Sequence, residues 1–530
     1  MKSALQAAAG FPFGHTGVLF LAATAGYLLM VLANQSFLLM VGVLVVIVCL
    51  ALMLRWPEAG TLVVLFAVYS NIGVLAMRSP KAVAAAAGSL DQNPRIALVL
   101  TPLFVLLCVP LLYRVVICRQ KLIFDRGFIL MLLFLAALMA SSIFARNRSI
   151  VSSKLAEYSF EGLVLYFLVS NSIRDVATLR RATWSLLLAG SLMAGFSLFQ
   201  KVSRTENNIY RGFAQIGSDF HSDPRMPNYV GSSLRANQVD DNGEVAGQLR
   251  AAGPIGEPNR YGQILVVLLP LAALQFATER AARLRALALL ACGLIFAGLL
   301  LTLSRGNLLA AVLAFALAGC LGLLKKEQIF GALVGVMLLI GVFQPGVTAR
   351  MATLGRLNAL FSESRSHEAP DSSAIRRYVE NVAAWRVFVD HPLLGVGPGH
   401  FAAYYSNDYG NRLGLIEQIG NYRGHNLYLE TLAETGVVGF GCFVAILAAI
   451  AHGLWKERSR WVQCNRHLAL LATAFLVSLA AYAVSAIFDH LSYQRYFWLL
   501  LALASAAIRI LHLKSEEGGS CESVLRSREA

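Results

Sequence analysis

The chain has 530 residues, of which 57% are hydrophobic and only 14% charged, against about 25% charged in a soluble globular protein. Apolar runs of roughly 18 residues, each long enough to cross a bilayer, recur along most of it; a soluble fold would have to bury them all in one core, which excludes that class. The formal charge of +15 is dispersed among arginines rather than blocked, and membrane proteins concentrate Lys and Arg on cytoplasmic loops, so nucleic acid is not an expected partner.

Hydropathy predicts an all-α, polytopic integral membrane protein with about fourteen transmembrane helices. Seven fall near 16–34, 37–54, 60–77, 96–116, 127–145, 158–173 and 182–200, within an N-terminal transmembrane region 1–200. The first run lacks a cleavage site and is followed at once by another, so it reads as a retained helix and not a signal peptide. A long connection, 201–260, rich in Asn, Asp, Gly and Pro, comes next. Central helices near 261–278, 286–303, 307–324 and 328–345 make up the region 261–345. A second long connection, 346–435, precedes C-terminal helices near 436–455, 467–488 and 495–512, in the region 436–512. The polar tail 513–530 reads as cytoplasmic and disordered.

With the N-terminus in the cytoplasm, the loops carrying Arg114/Arg119/Lys121/Arg126, Arg174/Arg180/Arg181, Arg280/Arg283/Arg285, Lys325/Lys326 and Lys456/Arg458/Arg460/Arg466 are all cytoplasmic, as the positive-inside rule requires. Both long connections then face outward. None of the eight cysteines lies in either of them and no C-x-x-C pair exists, so neither disulfides nor a thiolate zinc site is expected. In the second loop, Ile375, Tyr378, Val379, Val382, Trp385, Phe388 and Val389 recur at helical spacing, with Arg376, Arg377, Glu380 and Arg386 largely off that stripe. This predicts an amphipathic helix, lying at the membrane interface or packed on the bundle.

Three segments gather ionisable and hydrogen-bonding residues on the outer side. Arg250-Ala-Ala-Gly-Pro-Ile-Gly-Glu257-Pro-Asn259-Arg260 forces an irregular backbone before the eighth span; such backbone at membrane depth lines a polar cavity, or else is an ordinary turn with Asn259 as N-cap. Arg305 is trapped between two spans, where a charge is costly unless paired or wetted; its fork of donors suits phosphate, though a snorkelling helix anchor would read the same way. In Arg423-Gly-His425-Asn426-Leu-Tyr-Leu-Glu430, His425 is suited to proton transfer near neutral pH and Asn426 can cap the helix that follows, which Gly436 closes.

The strings RAAGPIGEPN, LTLSRGN, HPLLGVGPGHF and HNLYLETLAETGVVG occur in that order. Together they resemble the O-antigen ligase family, which includes polysaccharide polymerases and protein O-oligosaccharyltransferases. The resemblance covers residues 245–450 by motif and the N-terminal helices by topology alone. It implies a membrane-embedded (GT-C type) glycosyltransferase of the bacterial inner membrane with its catalytic loops in the periplasm. The donor would be an undecaprenyl-diphosphate-linked glycan; the acceptor would be a hydroxyl of lipid A core, a lipid-linked repeat or protein. No metal or other cofactor is implied. By motif position, the family's diphosphate-binding arginines fall on Arg250 and Arg305, and its acceptor-activating histidine on His425. Glu257, Asn259, Arg260, Arg423, Asn426 and Glu430 stand beside them as supporting candidates. Pro392, Gly395, Gly397 and Gly399 read as loop-shaping residues. The motifs fit a ligase and a polymerase alike. A transporter would keep its site near the bilayer midplane, whereas these ionisable residues cluster in loops and at helix ends.

Overall fold

Apolar runs fold as helices in a membrane because no water is present to satisfy backbone N–H and C=O groups. The computed structural model describes residues 57–72, 107–108, 111–205, 208, 210–217, 250–324, 328, 372–405, 425–489 and 495–517. Along these run α1 (Pro57–Tyr69), α2 (Arg126–Ser141), α3 (Arg148–Glu157), α4 (Leu165–Ser172) and α5 (Val176–Val202). Then come α6 (Pro258–Val266), α7 (Leu268–Thr278), α8 (Ala282–Leu301) and α9 (Arg305–Cys320). The last four are α10 (Ser372–Asp390), α11 (Leu427–Trp461), α12 (Arg466–Ser485) and α13 (Arg495–Glu517). Seven of the described helical stretches are long and apolar enough to cross a membrane: Arg126–Phe144, Val176–Val202, Pro258–Thr278, Ala282–Leu301, Leu427–Trp461, Arg466–Ser485 and Arg495–Glu516. The protein is a multi-pass membrane protein. The helices expected at 16–34 and 37–54, and all but one residue of that at 328–345, lie outside the described residues.

One large apolar core joins α1, α2, α4 to α9 and α11 to α13. Helices α5 and α8 approach through small residues: a Cβ added to Gly298 would stand 2.7 Å from that of Ala194. Such close approach is how helices gain packing in lipid, where hydrophobic burial between them supplies little. Leu188, Leu289 and Leu290 point away from the core and are exposed, as suits a surface solvated by acyl chains.

Three features depart from the expectations. The span expected at 158–173 opens as a π-helical segment, Tyr158–Val164, before α4. Its buried Glu161 pairs with Arg495 at 3.7 Å, and Arg495 in turn donates to the Asn71 side chain. The chain is not wholly helical either: β1 (Gln215–Gly217) pairs antiparallel with β2 (Arg250–Gly253), Arg250 opposite Gly217 and Gly253 opposite Gln215. The pairing satisfies backbone groups where the two ends of the first long connection meet. Finally, Cys464 is in a disulfide. Spacing along the sequence carries no information about cysteines brought together by folding.

Candidate active site

The Arg250 arm begins at β2. Gly253 (φ +51°) can take no side chain, since a Cβ there would stand 2.6 Å from the ring of Tyr261. Pro258, without an N–H, occupies the first position of α6. The next two amides therefore seek an acceptor, and Glu257 supplies it: its carboxylate takes Asn259 N at 3.0 Å and Arg260 N at 2.8 Å. Glu257 is thus the N-cap, correcting the alternative that Asn259 caps this helix; it also pairs with Arg260 Nε at 3.6 Å. Asn259 serves the site differently. Its Oδ1 accepts from Arg250 Nη2 at 2.6 Å, and its carbonyl accepts from Asn307 Nδ2 at 2.7 Å.

Arg305 sits at the first position of α9, after Leu303 (φ +51°) has turned the chain. The same turn binds the first arm, because Arg250 Nε donates to Thr302 O at 2.8 Å. Asn307, buried and two residues past Arg305, is a hub: Nδ2 also reaches Ser304 Oγ at 2.9 Å, and Oδ1 accepts from Ser485 Oγ on α12. Burial pushes the Arg250 guanidinium below the usual arginine pKa; Glu257 and Asp489 oppose that shift and the charge of Arg305 adds to it. Arg250 and Arg305 therefore share one electrostatic environment.

The His425 arm is built on α11. Asn426 caps it, accepting from Tyr428 N at 3.0 Å and Leu429 N at 3.2 Å, as expected. Leu427 N donates to Ala486 O at 3.0 Å and Asp489 O at 3.1 Å, which fixes the segment to the end of α12 beside the Asn307 hub. His425 Nδ1 lies 2.7 Å from Glu380 Oε2, and Glu380 is wholly buried. Glu430 lies in the first turn of α11, where negative charge suits the helix dipole. Arg423 lies outside the described residues.

Glu380 comes from α10, the amphipathic helix of the second long connection. It packs on the bundle through Val379, Ala383, Ala384 and Val387, which form a second core with Val396, Phe401, Tyr404 and Ala433. Tyr378 and Trp385 of the expected apolar stripe are instead 62% and 52% exposed, and Val389 is exposed with them. The buried face is set by adjacent alanines, which allow close approach and which a stripe of large residues overlooks.

Beneath α10, the Gly-rich turn is pinned to α11 by a backbone clasp. Val396 N donates to Ala433 O at 3.1 Å, Gly397 N to Glu434 O at 2.9 Å, and Val437 N to Pro392 O at 2.8 Å. Gly395 (φ +68°) and Gly436 (φ +63°) each face the other strand's backbone, where a Cβ would collide; Gly436 also breaks α11 locally. His400 is buried here. Its Nε2 accepts from Asn147 N at 3.0 Å, so Nδ1 carries the proton and donates to Pro398 O at 3.1 Å. Burial, with Arg146 nearby, lowers its pKa. It is a structural histidine.

The structure thus brings Arg250, Glu257, Asn259 and Arg305 into one cluster and sets His425 beside it through Asp489 and α12. Sequence reasoning missed Glu380, Asn307 and Asp489. Only Asn307 carried a signal, standing inside the quoted LTLSRGN string.

An arginine cluster thus stands beside a carboxylate-bound histidine in a multi-pass membrane bundle. Residues 289–444, from α8 through His425 to α11, match the family model described as O-antigen ligase. That stretch of the chain is similar to the O-antigen ligase family. No curated protein matches the chain.

Proposed function

We propose that the protein transfers a glycan from an undecaprenyl-diphosphate carrier to a hydroxyl acceptor at the outer face of the bacterial inner membrane, as an O-antigen ligase does. In this reading the chain crosses the membrane about fourteen times in a GT-C-like arrangement, with residues 201–260 and 346–435 as its periplasmic loops. The observation that carries the reaction is the His425–Glu380 pair beside the Arg250–Arg305 cluster. Nδ1–H of neutral His425 donates to Glu380, which leaves Nε2 to take a proton. The acceptor oxygen then attacks the anomeric carbon as its proton passes to Nε2. The bond from that carbon to the carrier's phosphate oxygen breaks, and the electron pair leaves with the diphosphate. Arg250 and Arg305 stabilise the charge developing there, a task that fixed cations perform without a metal. One direct displacement inverts the anomeric centre.

A polymerase would use the same steps with a lipid-linked repeat as acceptor. The lipid-linked intermediates of a deletion strain separate the two. Full-length chains on the carrier are expected, single repeats would instead identify a polymerase, and unchanged intermediates would refute both.

A further inference from the structure

A second cluster of arginines lies at the far end of the bundle. Arg495, at the start of α13, donates to the Asn71 side chain, and Asn71 Nδ2 donates to Pro254 O at 2.8 Å. That end of α13 therefore belongs to the Arg250 arm. Arg509 stands about 21 Å further along the same helix at the α-helical rise. Its Nη2 donates to Ser170 O at 2.6 Å and Ile173 O at 2.7 Å, carbonyls that the end of α4 leaves open. Arg174, just past α4, donates through Nε to Asn171 O at 3.0 Å and through Nη2 to Lys121 O at 2.9 Å. The Asn171 side chain accepts from Ile123 N at 2.9 Å and donates to Ile123 O at 3.0 Å. Residues 118–125 are thereby strapped across the end of α4, and Gln120 N, bonded to Arg114 O at 3.0 Å, ties Arg114 to the strap.

The charges of Arg114 and Arg174 oppose each other, and both act on Arg509. Arg114 is half-buried. Its Nε and Arg509 Nη1 are buried without a hydrogen-bond partner among the described residues, a costly state for a guanidinium. Asp125, the carboxylate that acts on Arg509, is already committed. It caps α2 by accepting from Phe128 N at 2.8 Å, and it takes Tyr166 Oη at 2.9 Å and Ser505 Oγ at 2.7 Å. By contrast, Arg180 and Arg181 on α5 each pair with a glutamate, Glu279 and Glu58. The strap also exposes Arg119 and Lys121 beside the apolar side chains of Leu122 and Phe124. Cations next to exposed apolar groups suit a membrane interface, where anionic headgroups attract basic residues.

We propose that this cluster binds the phosphodiester of an anionic phospholipid in the leaflet opposite the Arg250 site, with Arg114 as its principal ligand and Leu122 and Phe124 against the acyl chains. In the topology expected from the charge distribution this is the cytoplasmic leaflet. The bound lipid braces the strap against α4 and α13 at the end of the bundle remote from Arg250. The inference needs a multi-pass membrane protein and nothing of the proposed reaction.

Native mass spectrometry of the full-length protein in detergent tests this by titration with phosphatidylglycerol, with phosphatidylcholine of the same chains and with glycerol 3-phosphate. The wild type is expected to bind phosphatidylglycerol about ten-fold more tightly than phosphatidylcholine, and Arg114→Gln to lose about ten-fold for phosphatidylglycerol with little change for phosphatidylcholine. Equal affinity of the wild type for the two lipids overturns the proposal, as does wild-type affinity for phosphatidylglycerol in Arg114→Gln. Glycerol 3-phosphate that binds as tightly as phosphatidylglycerol identifies a soluble phosphate ligand and refutes the lipid. Arg181→Gln controls for general attraction to a basic surface. Retained phosphatidylglycerol affinity in that variant supports a discrete site, and a loss equal to that of Arg114→Gln overturns it. Should Arg114→Gln fail to fold, Lys121→Glu on the exposed strap probes the same site; weaker phosphatidylglycerol binding then supports the proposal and unchanged binding refutes it.

Discussion

The two arms of the site are built on opposite plans. On the Arg250 arm, side chains from β2, α6, α9 and α12 share a continuous set of hydrogen bonds through Asn259 and Asn307. On the other arm, the contact described for the His425 ring is its bond to Glu380, which bridges two separate helices. A meshed arm spreads the effect of any one loss, whereas a contact that joins two helices across a long stretch of chain makes the ring's orientation sensitive to the placement of both. The difference suits the proposed chemistry: a diphosphate would need a rigid cradle, while a base would need one tautomer and one direction.

The comparison breaks most readily at its narrow point. His425→Ala is expected to lower turnover by about 10²–10⁴-fold with donor binding retained, measured with matched lipid-diphosphate donor and acceptor; unchanged turnover would remove the base from the mechanism. Glu380→Gln is expected to approach the same loss, on the order of 10²-fold or more. An amide can donate to Nδ1 and so leaves the proton on Nε2, where it blocks acceptance. That effect belongs in kcat and not in KM, and a pure KM effect would contradict the orienting role. Arg305→Lys follows, with donor use weakened by about ten-fold or more at normal protein level; full activity of Arg305→Ala would end the diphosphate assignment.

How much of this was legible follows from the same contrast. Arg250, Arg305 and His425 stand in short strings whose residue types announce anion binding and proton transfer, and their order along the chain survives folding. Glu380 sits 45 residues before its partner on a helix whose polar face looks solvated, so nothing local distinguishes it from a surface carboxylate. The alternative N-cap, Asn259, gave way to Glu257 because Pro258 at the first helical position leaves the amides of Asn259 and Arg260 as those that need a cap. The apolar runs gave the helices readily, since period and length suffice for that. The burial face of α10 turned on two alanines, and neither period nor length reveals those.

Smaller effects sharpen the comparison. Asn307→Leu leaves the Asn259 carbonyl and the Ser485 hydroxyl without their partner and is expected to cost about 1–3 kcal/mol of stability, seen as a lowered thermal midpoint. A loss of turnover with no change in that midpoint would show that the meshed arm is less redundant than its bonding implies. The smallest effect concerns pH. His400 has its pKa lowered on folding, so the unfolded chain binds a proton more readily than the folded one. Stability attributable to it is complete above the ordinary histidine value of about 6.5 and is lost as pH falls from there through the folded value. His400→Gln is expected to flatten that decline in thermal midpoint between about pH 7.5 and 5.5; an unaltered decline would place its origin elsewhere.

The clasp between Pro392–Gly397 and Ala433–Val438 has a further meaning for how such a chain can diversify. It brings the two ends of the intervening stretch to one spot and fixes them by main-chain bonds that any sequence with the right glycines can make. A connection closed by such a clasp tolerates added length at a closure cost of only about 0.6 kcal/mol for each doubling. The register of α10 against α11, and with it the distance from Glu380 to His425, does not depend on the insert. A chimera that exchanges residues 406–424 for a foreign segment of different length is therefore expected to keep the His425–Glu380 contact.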